Sequence, residues 1–228
     1  MRILAVDTST NICSVAILEK ASLLTEFTLN REETHSKHLM DMINTTLAMS
    51  GNNISDIDGF AVTRGPGSFT GLRIGISTVK GLAAASGRPI VGVSSLEALA
   101  FQVAFSPDLI CPLLDARRGE VYYSRYRFIN GQLKRQIKER VIHPDHAVDD
   151  LDEPCLFVGN GALLHKAILM EKLGKFASFA PVIQNTIRAS TVAYLSMVKF
   201  ESDDTDDIGE FQPYYIRKSD AELHLKNL

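Results

Sequence analysis

A chain of 228 residues, 22% of them charged and with a formal net charge of −3, can bury a sizeable core and sits near the border between one large domain and two small ones. Such a balance implies no broad electropositive surface for phosphate-backbone binding, so if nucleic acid is involved this chain is not expected to be its main holder. The apolar run in MRILAVD is too short for a signal h-region or a membrane span, and Cys13, Cys111 and Cys155 lack CxxC spacing. Both point to a cytoplasmic, non-membrane protein with reduced, mostly buried thiols.

Ile3 to Asp7 and Ser14 to Leu18 are β-type runs joined by the polar stretch Thr8 to Asn11, which predicts an opening hairpin with hydroxyls in its turn. Leu39, Met42, Ile43 and Leu47 recur at helical spacing between His35 and Met49, and Gly51 stops that helix. Ile57 to Thr63 reads as a buried strand. A glycine-rich turn follows, and Leu72, Ile76, Val79 and Ala83 then stripe a second helix ending near Gly87. Ile90 to Val93 is a short strand, with Ser94 or Ser95 capping a helix from Leu96 to Phe105.

The second half restarts with strands at Leu109 to Asp115 and Val121 to Ile129, turning at Arg117 to Gly119 and again at Asn130 and Gly131. Leu156 to Val158 is a further strand, Gly159 to Gly161 open a helix through Leu173, and Ser190 to Phe200 is the final helix. Two halves that each begin with strands and finish with helices predict a duplicated α/β chain, divided into lobes at 1–105 and 106–228. The run Asp203 to Asp207 reads as a solvated loop.

Arg64 to Gly75, RGPGSFTGLRIG, is the densest backbone signal. Pro66 presets one turn angle, Gly67 accepts the positive φ expected next, and Ser68 and Thr70 supply capping oxygens. A phosphate cradle at this helix start is weighed against a plain strand-to-helix connection, which the absence of GxGxxG and GxxxxGK[ST] favours. Along the helix Gly71, Gly75 and Thr78 form a small-residue face that a second helix could approach, beside Leu72 and Ile76 and rimmed by Arg73, Ser77 and Lys80.

Asp7, Thr8, Ser9 and Thr10 are candidates for holding a magnesium-bound phosphate or for a self-satisfied turn, and Gly159-Asn160-Gly161 is a weaker nucleotide cue. His35 and His38 lack a third ligand and are expected at the surface or in caps, so no metal site is predicted. Neither GxSxG nor HExxH occurs, and no catalytic residue is assigned.

Together, ILAVDTSTNICSVAIL, HSKHL, RGPGSFTGLRIGISTVKGLA, PIVGVSSLEALA, DARRGEVY, VGNGA and PYYIRKSDAE resemble the bacterial TsaB family, also called YeaZ, over nearly the whole chain. The resemblance implies the actin-like ATPase fold (ASKHA, ribonuclease H-like), with two lobes of mixed sheet and helices. It also implies a noncatalytic role in adding threonylcarbamoyl to adenosine 37 of tRNAs that read codons starting with A. The implied partners are the catalytic paralogue TsaD and the ATPase TsaE, with tRNA met through the complex and a homodimer when the chain is alone. The helices around the glycine-rich segment would form the pairing surface. No cofactor is assigned, and any ATP or ADP is expected at the junction with the partner. TsaD carries two metal-binding histidines where this chain has Ser95 and Leu99 in VSSLEAL. Their replacement argues against catalysis and against an older peptidase label. The alternative is a protein of the same fold that binds or hydrolyses ATP by itself.

Overall fold

The structure is a computed structural model and describes residues 1–31 and 33–217. The first sheet has the order β3-β2-β1-β4-β5, built from β1 (Arg2–Asp7), β2 (Ile12–Glu19), β3 (Ser22–Asn30), β4 (Gly59–Gly65) and β5 (Ile90–Ser94). The first three strands are antiparallel, and β1, β4 and β5 run parallel. The second sheet, β10-β9-β6-β7-β8, comprises β6 (Leu109–Asp115), β7 (Val121–Ile129), β8 (Gln132–Ile142), β9 (Cys155–Val158) and β10 (Ala177–Phe179). It repeats the same antiparallel-then-parallel plan.

The helices are α1 (Leu39–Met49), α2 (Phe69–Ser86), α3 (Ser95–Phe101), α4 (Asn160–Leu164), α5 (Lys166–Leu173) and α6 (Ala189–Glu201). Successive side chains of a strand point to opposite faces, so a strand covered on both sides is apolar throughout. On β1, Leu4 and Val6 face α1 and α2, in one core with Ile43, Leu47, Ile76 and Val79. Ile3 and Ala5 face the other way, into a middle core shared with α3, α6 and Ile110, Leu114 and Tyr126 of the second sheet. A third core joins the outer face of that sheet to α4 and α5 through Phe157, Ala162 and Leu169.

Five layers result, and the middle one joins the lobes. Helix α6 lies in the second half of the sequence but packs on β1, β2, β4 and β5. Its N-terminus is tied to the first sheet, where the Ala189 amide donates to Ser14 Oγ (3.0 Å) and the Ser190 amide to Glu26 (3.0 Å). A cut at residue 105 therefore separates the two sheets but not the two packed bodies.

Several local expectations are corrected. β3 and β8 were not predicted, nor was β10. The helix expected from Gly159 to Leu173 is broken at His165 into α4 and α5, and α3 ends at Phe101 rather than Phe105. The chain from His35 begins with a 3-10 turn before α1. Asp206, expected in solvent, accepts from the Gly92 amide at 2.8 Å and is docked against β5. All three cysteines are free and buried.

Candidate functional site

The first hairpin turn and the start of α2 meet at the lobe junction. Ser68 caps α2, its Oγ accepting from the Gly71 amide at 3.2 Å, while the Ser68 amide donates to the Ser9 carbonyl at 2.7 Å. A helix opens with four amide donors that have no partner inside it. Two of those four are thus taken by the chain's own oxygens, which weakens the phosphate-cradle reading. Thr70, the second expected cap, is an exposed residue of the first turn.

Glycine is required here by close approach. A Cβ at Gly71 would stand 2.1 Å from the Thr8 carbonyl oxygen, and one at Gly75 would stand 2.2 Å from Thr8 Oγ1. Thr8 Oγ1 in turn donates to the Gly71 carbonyl at 2.8 Å. Gly67 is pressed on the Ser9 carbonyl in the same way, and the positive φ expected of it falls instead on Gly65, at 118°.

The small-residue face read from the sequence is therefore filled from within. Gly71, Leu72, Gly75 and Ile76 are buried, and only Arg73, Ser77, Thr78 and Lys80 of the interface candidates reach solvent in any degree. The outward stripe of α2 runs through Arg73, Ser77, Gly81, Ala84 and Ala85 instead, and a Cβ at Gly81 would meet nothing within 4 Å.

A cleft of about 790 Å³ opens beside this joint, lined by Ser9, Thr10, Gly67 to Gly71 and His35 from the first lobe. Asp115, Arg117 and Asn160 line it from the second. Of the four nucleotide candidates, Ser9 and Thr10 reach the cleft, while Asp7 and Thr8 are fully buried. Asp7 Oδ1 accepts from the Ser9 amide (3.1 Å), Ser9 Oγ (2.6 Å) and Thr63 Oγ1 (2.6 Å). Burial raises its pKa against the opposing pull of those hydrogen bonds. Its Oδ2 is buried without a partner. A sealed carboxylate and a committed threonine hydroxyl do not fit a magnesium-phosphate site.

His35, expected at the surface or in a cap, is buried, with Nε2 on the Thr10 carbonyl at 2.7 Å to fix the hairpin turn. His38 pairs with Glu33. Among the described residues no group of three or more His, Cys, Asp or Glu is placed to hold a metal. The Gly159 amide donates to Asn185 Oδ1 (2.6 Å) and Asn160 Oδ1 accepts from the Asp115 amide (3.0 Å), so both are committed inside the second lobe. Ser95 and Leu99 are fully buried in the middle layer, and Ser95 Oγ has no partner there.

No local signal places the chain after α6 in the cleft, yet Tyr215 and Arg217 line it. The Tyr214 amide donates to the Arg64 carbonyl (2.7 Å), and Tyr215 stacks on Phe69 at 4.5 Å. Arg73 lies over Phe69 at 3.9 Å and donates to Tyr215 Oη at 3.0 Å. Arg217 reaches the Ala116 carbonyl and, at 3.3 Å, Glu120 in the second lobe. Residues 214–217 thus bridge the lobes, while the remainder of the PYYIRKSDAE motif, Lys218 to Glu222, lies outside the described residues. Tyr215→Ala is expected to cost about 1 kcal/mol, the worth of one aromatic pair. Thermal denaturation would read this as a Tm lowered by roughly 2–4 °C.

The family model described as "TsaD: tRNA N6-adenosine threonylcarbamoyltransferase" matches residues 22–224. The tRNA threonylcarbamoyladenosine biosynthesis protein TsaB of Bacillus subtilis is 33% identical, covering 97% of this chain and 96% of the relative. The structure of YeaZ from Pseudomonas aeruginosa superposes with a TM-score of 0.79 at 28% identity, over 94% of this chain and 99% of that one. The 2-hydroxyisocaproyl-CoA dehydratase activator of Clostridium difficile, at 11% identity and a TM-score of 0.53 over 91% of this chain and 99% of that one, shares the actin-like fold alone.

Proposed function

The chain belongs to the TsaB (YeaZ) family and works in tRNA threonylcarbamoyladenosine biosynthesis, and from that premise we propose that it is a noncatalytic subunit that docks on and organises a TsaD-like transferase. The reading is supported at Ser95 and Leu99, the positions that the family resemblance matches to the metal-binding histidines of the catalytic paralogue. Both are buried in the middle core and present no imidazole. Neither a hydroxyl nor an alkyl group replaces imidazole as a ligand for a transition metal.

Docking through the outward stripe of α2 fits its side chains. Ser77, Gly81, Ala84 and Ala85 are exposed and nearly bare of side chain, which lets a facing helix approach to the short end of the usual interaxial range. Arg73 stands at the rim, half engaged by Phe69 and Tyr215. The same stripe would serve a homodimer when the partner is absent. A TsaE-like ATPase and tRNA then join through the complex, in the cytoplasm. Any ATP or ADP sits at the junction with the partner. Among the described residues no helix is long and apolar enough to cross a membrane.

Size-exclusion chromatography with light scattering on an equimolar mixture with the cognate TsaD-like protein tests this. A heterodimer is expected at micromolar concentration, and its absence overturns the proposal. Gly81→Arg fills the stripe while improving helix propensity by about 1 kcal/mol. It is expected to weaken heterodimerisation by at least about tenfold, or 1.4 kcal/mol, without lowering Tm.

A further inference from the structure

A second cavity, of about 450 Å³, lies between the lobes away from the hairpin turn and is lined from β4, β5, α3, β7, β8 and α6. Its volume is within the range of small-molecule sites. Two carboxylates and three cations from four of these elements surround it: Glu97, Glu139, Arg64, Arg135 and Lys199. In a packed interior such groups close into ion pairs that compensate their desolvation. Here Arg135 and Glu139 make one long pair, Arg64 pairs outward with Asp206, and only Glu97 and Lys199 stand apart among the described residues.

Glu139 has a side chain only 3% exposed, and Arg135 Nη1 lies 3.7 Å from its Oε1. That same oxygen accepts from Ser94 Oγ and, at 3.5 Å, from Tyr126 Oη. Its Oε2 has no hydrogen bond among the described residues. The Glu97 carboxylate and Lys199 Nζ, both half-buried, have neither a hydrogen bond nor an ion pair within 4.0 Å among those residues. Among the described residues Arg64 comes no nearer to an acid than 3.8 Å, at Asp206.

A purely cationic guest would meet three cations, and a purely anionic one would meet two carboxylates. A guest with both signs satisfies both sets. We propose that this cavity binds a small zwitterion of the α-amino-acid class, with its ammonium between Glu97 and Glu139 and its carboxylate toward Arg64, Arg135 and Lys199. Burial raises both glutamate carboxyls against the opposing pull of Arg135 and Arg64 on each and of Lys199 on Glu97, and the charge of Glu97 adds to the rise at Glu139. An ammonium placed between them would reverse that destabilisation. The site is independent of the α2 docking stripe and does not rest on it.

Calorimetric titration of the full chain with glycine, L-threonine and L-glutamate tests the proposal, threonine being the amino acid within the modification that the family makes. Saturable binding of at least one is expected. Deleting the carboxylate of the probe (1-amino-2-propanol for threonine) or its amine (3-hydroxybutyrate) should each weaken binding at least about tenfold, the loss of one charge-assisted contact. Glu97→Gln and Arg135→Gln should do the same with Tm preserved; Lys199→Gln stands in for either if its Tm falls. No saturation by any of the three amino acids up to about 10 mM, a range that covers millimolar affinity, overturns the proposal. So does equal binding of either truncated analogue, or undiminished binding by the folded variants.

Discussion

Replacing Gly71 by valine is expected to destabilise the fold by about 3–4 kcal/mol, an overpacking cost compounded by a lost hydrogen bond. In a chain of this size that lowers Tm by roughly 10 °C. The reason is the 2.1 Å between a Cβ at this position and the Thr8 carbonyl oxygen. Neither partner is a flexible side-chain end: one is helix backbone and the other is the backbone of the β1–β2 turn. To admit the valine, α2 must lift from the hairpin, breaking the Thr8 Oγ1 to Gly71 carbonyl bond and straining the Ser68 amide to Ser9 carbonyl bond. Thermal denaturation beside Gly81→Arg, in the same helix but facing open space, separates this from a general loss of helix stability. A Tm for Gly71→Val within about 2 °C of the parent, less than 1 kcal/mol on this scale, would show that the contact is not tight.

Asp7→Ala is expected to cost about 3–5 kcal/mol, because truncating one partner of a buried polar network strands the others. It leaves the Ser9 amide, Ser9 Oγ and Thr63 Oγ1 without their acceptor in residues no more than 1% exposed. Asp7→Asn keeps an acceptor oxygen and is expected to stay within about 1 kcal/mol of the parent, as a preserved hydrogen bond implies. The pH dependence has a definite sign. Burial raises the folded pKa of Asp7 above its unfolded value, so between the two values the folded chain holds more proton than the unfolded chain. Its contribution to stability therefore falls as pH rises through that window. Asp7→Asn lacks this slope, and denaturant titrations across acid pH would show its stability gaining on the parent as pH increases. Equal slopes for the two proteins would mean that Asp7 is not held in the way described.

The parts of the fold legible in the sequence are those with a strong local period. β1, β2, β4 to β7 and β9 and the helices α1, α2, α3 and α6 lie where apolar runs or helical stripes predicted them. β3 and β8 lie at the sheet edges, where Glu26 and the run Lys134 to Arg140 place charge on the strand, as edge strands commonly do to discourage further pairing. The β2–β3 hairpin was hidden for a second reason. Its turn residues, Lys20 and Ala21, take φ values of 47° and 66°, a conformation usually signalled by Asn-Gly or Asp-Gly. The β7–β8 hairpin turn does carry that signal, in Asn130-Gly131, and is legible as a turn.

Local signals in the chain carry the order of most elements, the repeated strand-then-helix plan, the place of the turns before α2 and α4, and, through its motifs, the TsaB family. These properties rest on local chemistry: the period of apolar residues, the dihedral freedom of glycine and the identity of residues 95 and 99. Only the tertiary structure decided which way the RGPGSFTGLRIG helix turns its glycines, because that depends on what arrives from the first hairpin, some sixty residues earlier in the chain. It also decided that Asp7 is sealed from the cleft, that α6 returns to the first sheet, and that Tyr215 and Arg217 close across the lobes. Five charged residues scattered from 64 to 199 share one cavity for the same reason. Burial and contact between distant segments are set by packing, and no spacing along the chain encodes them.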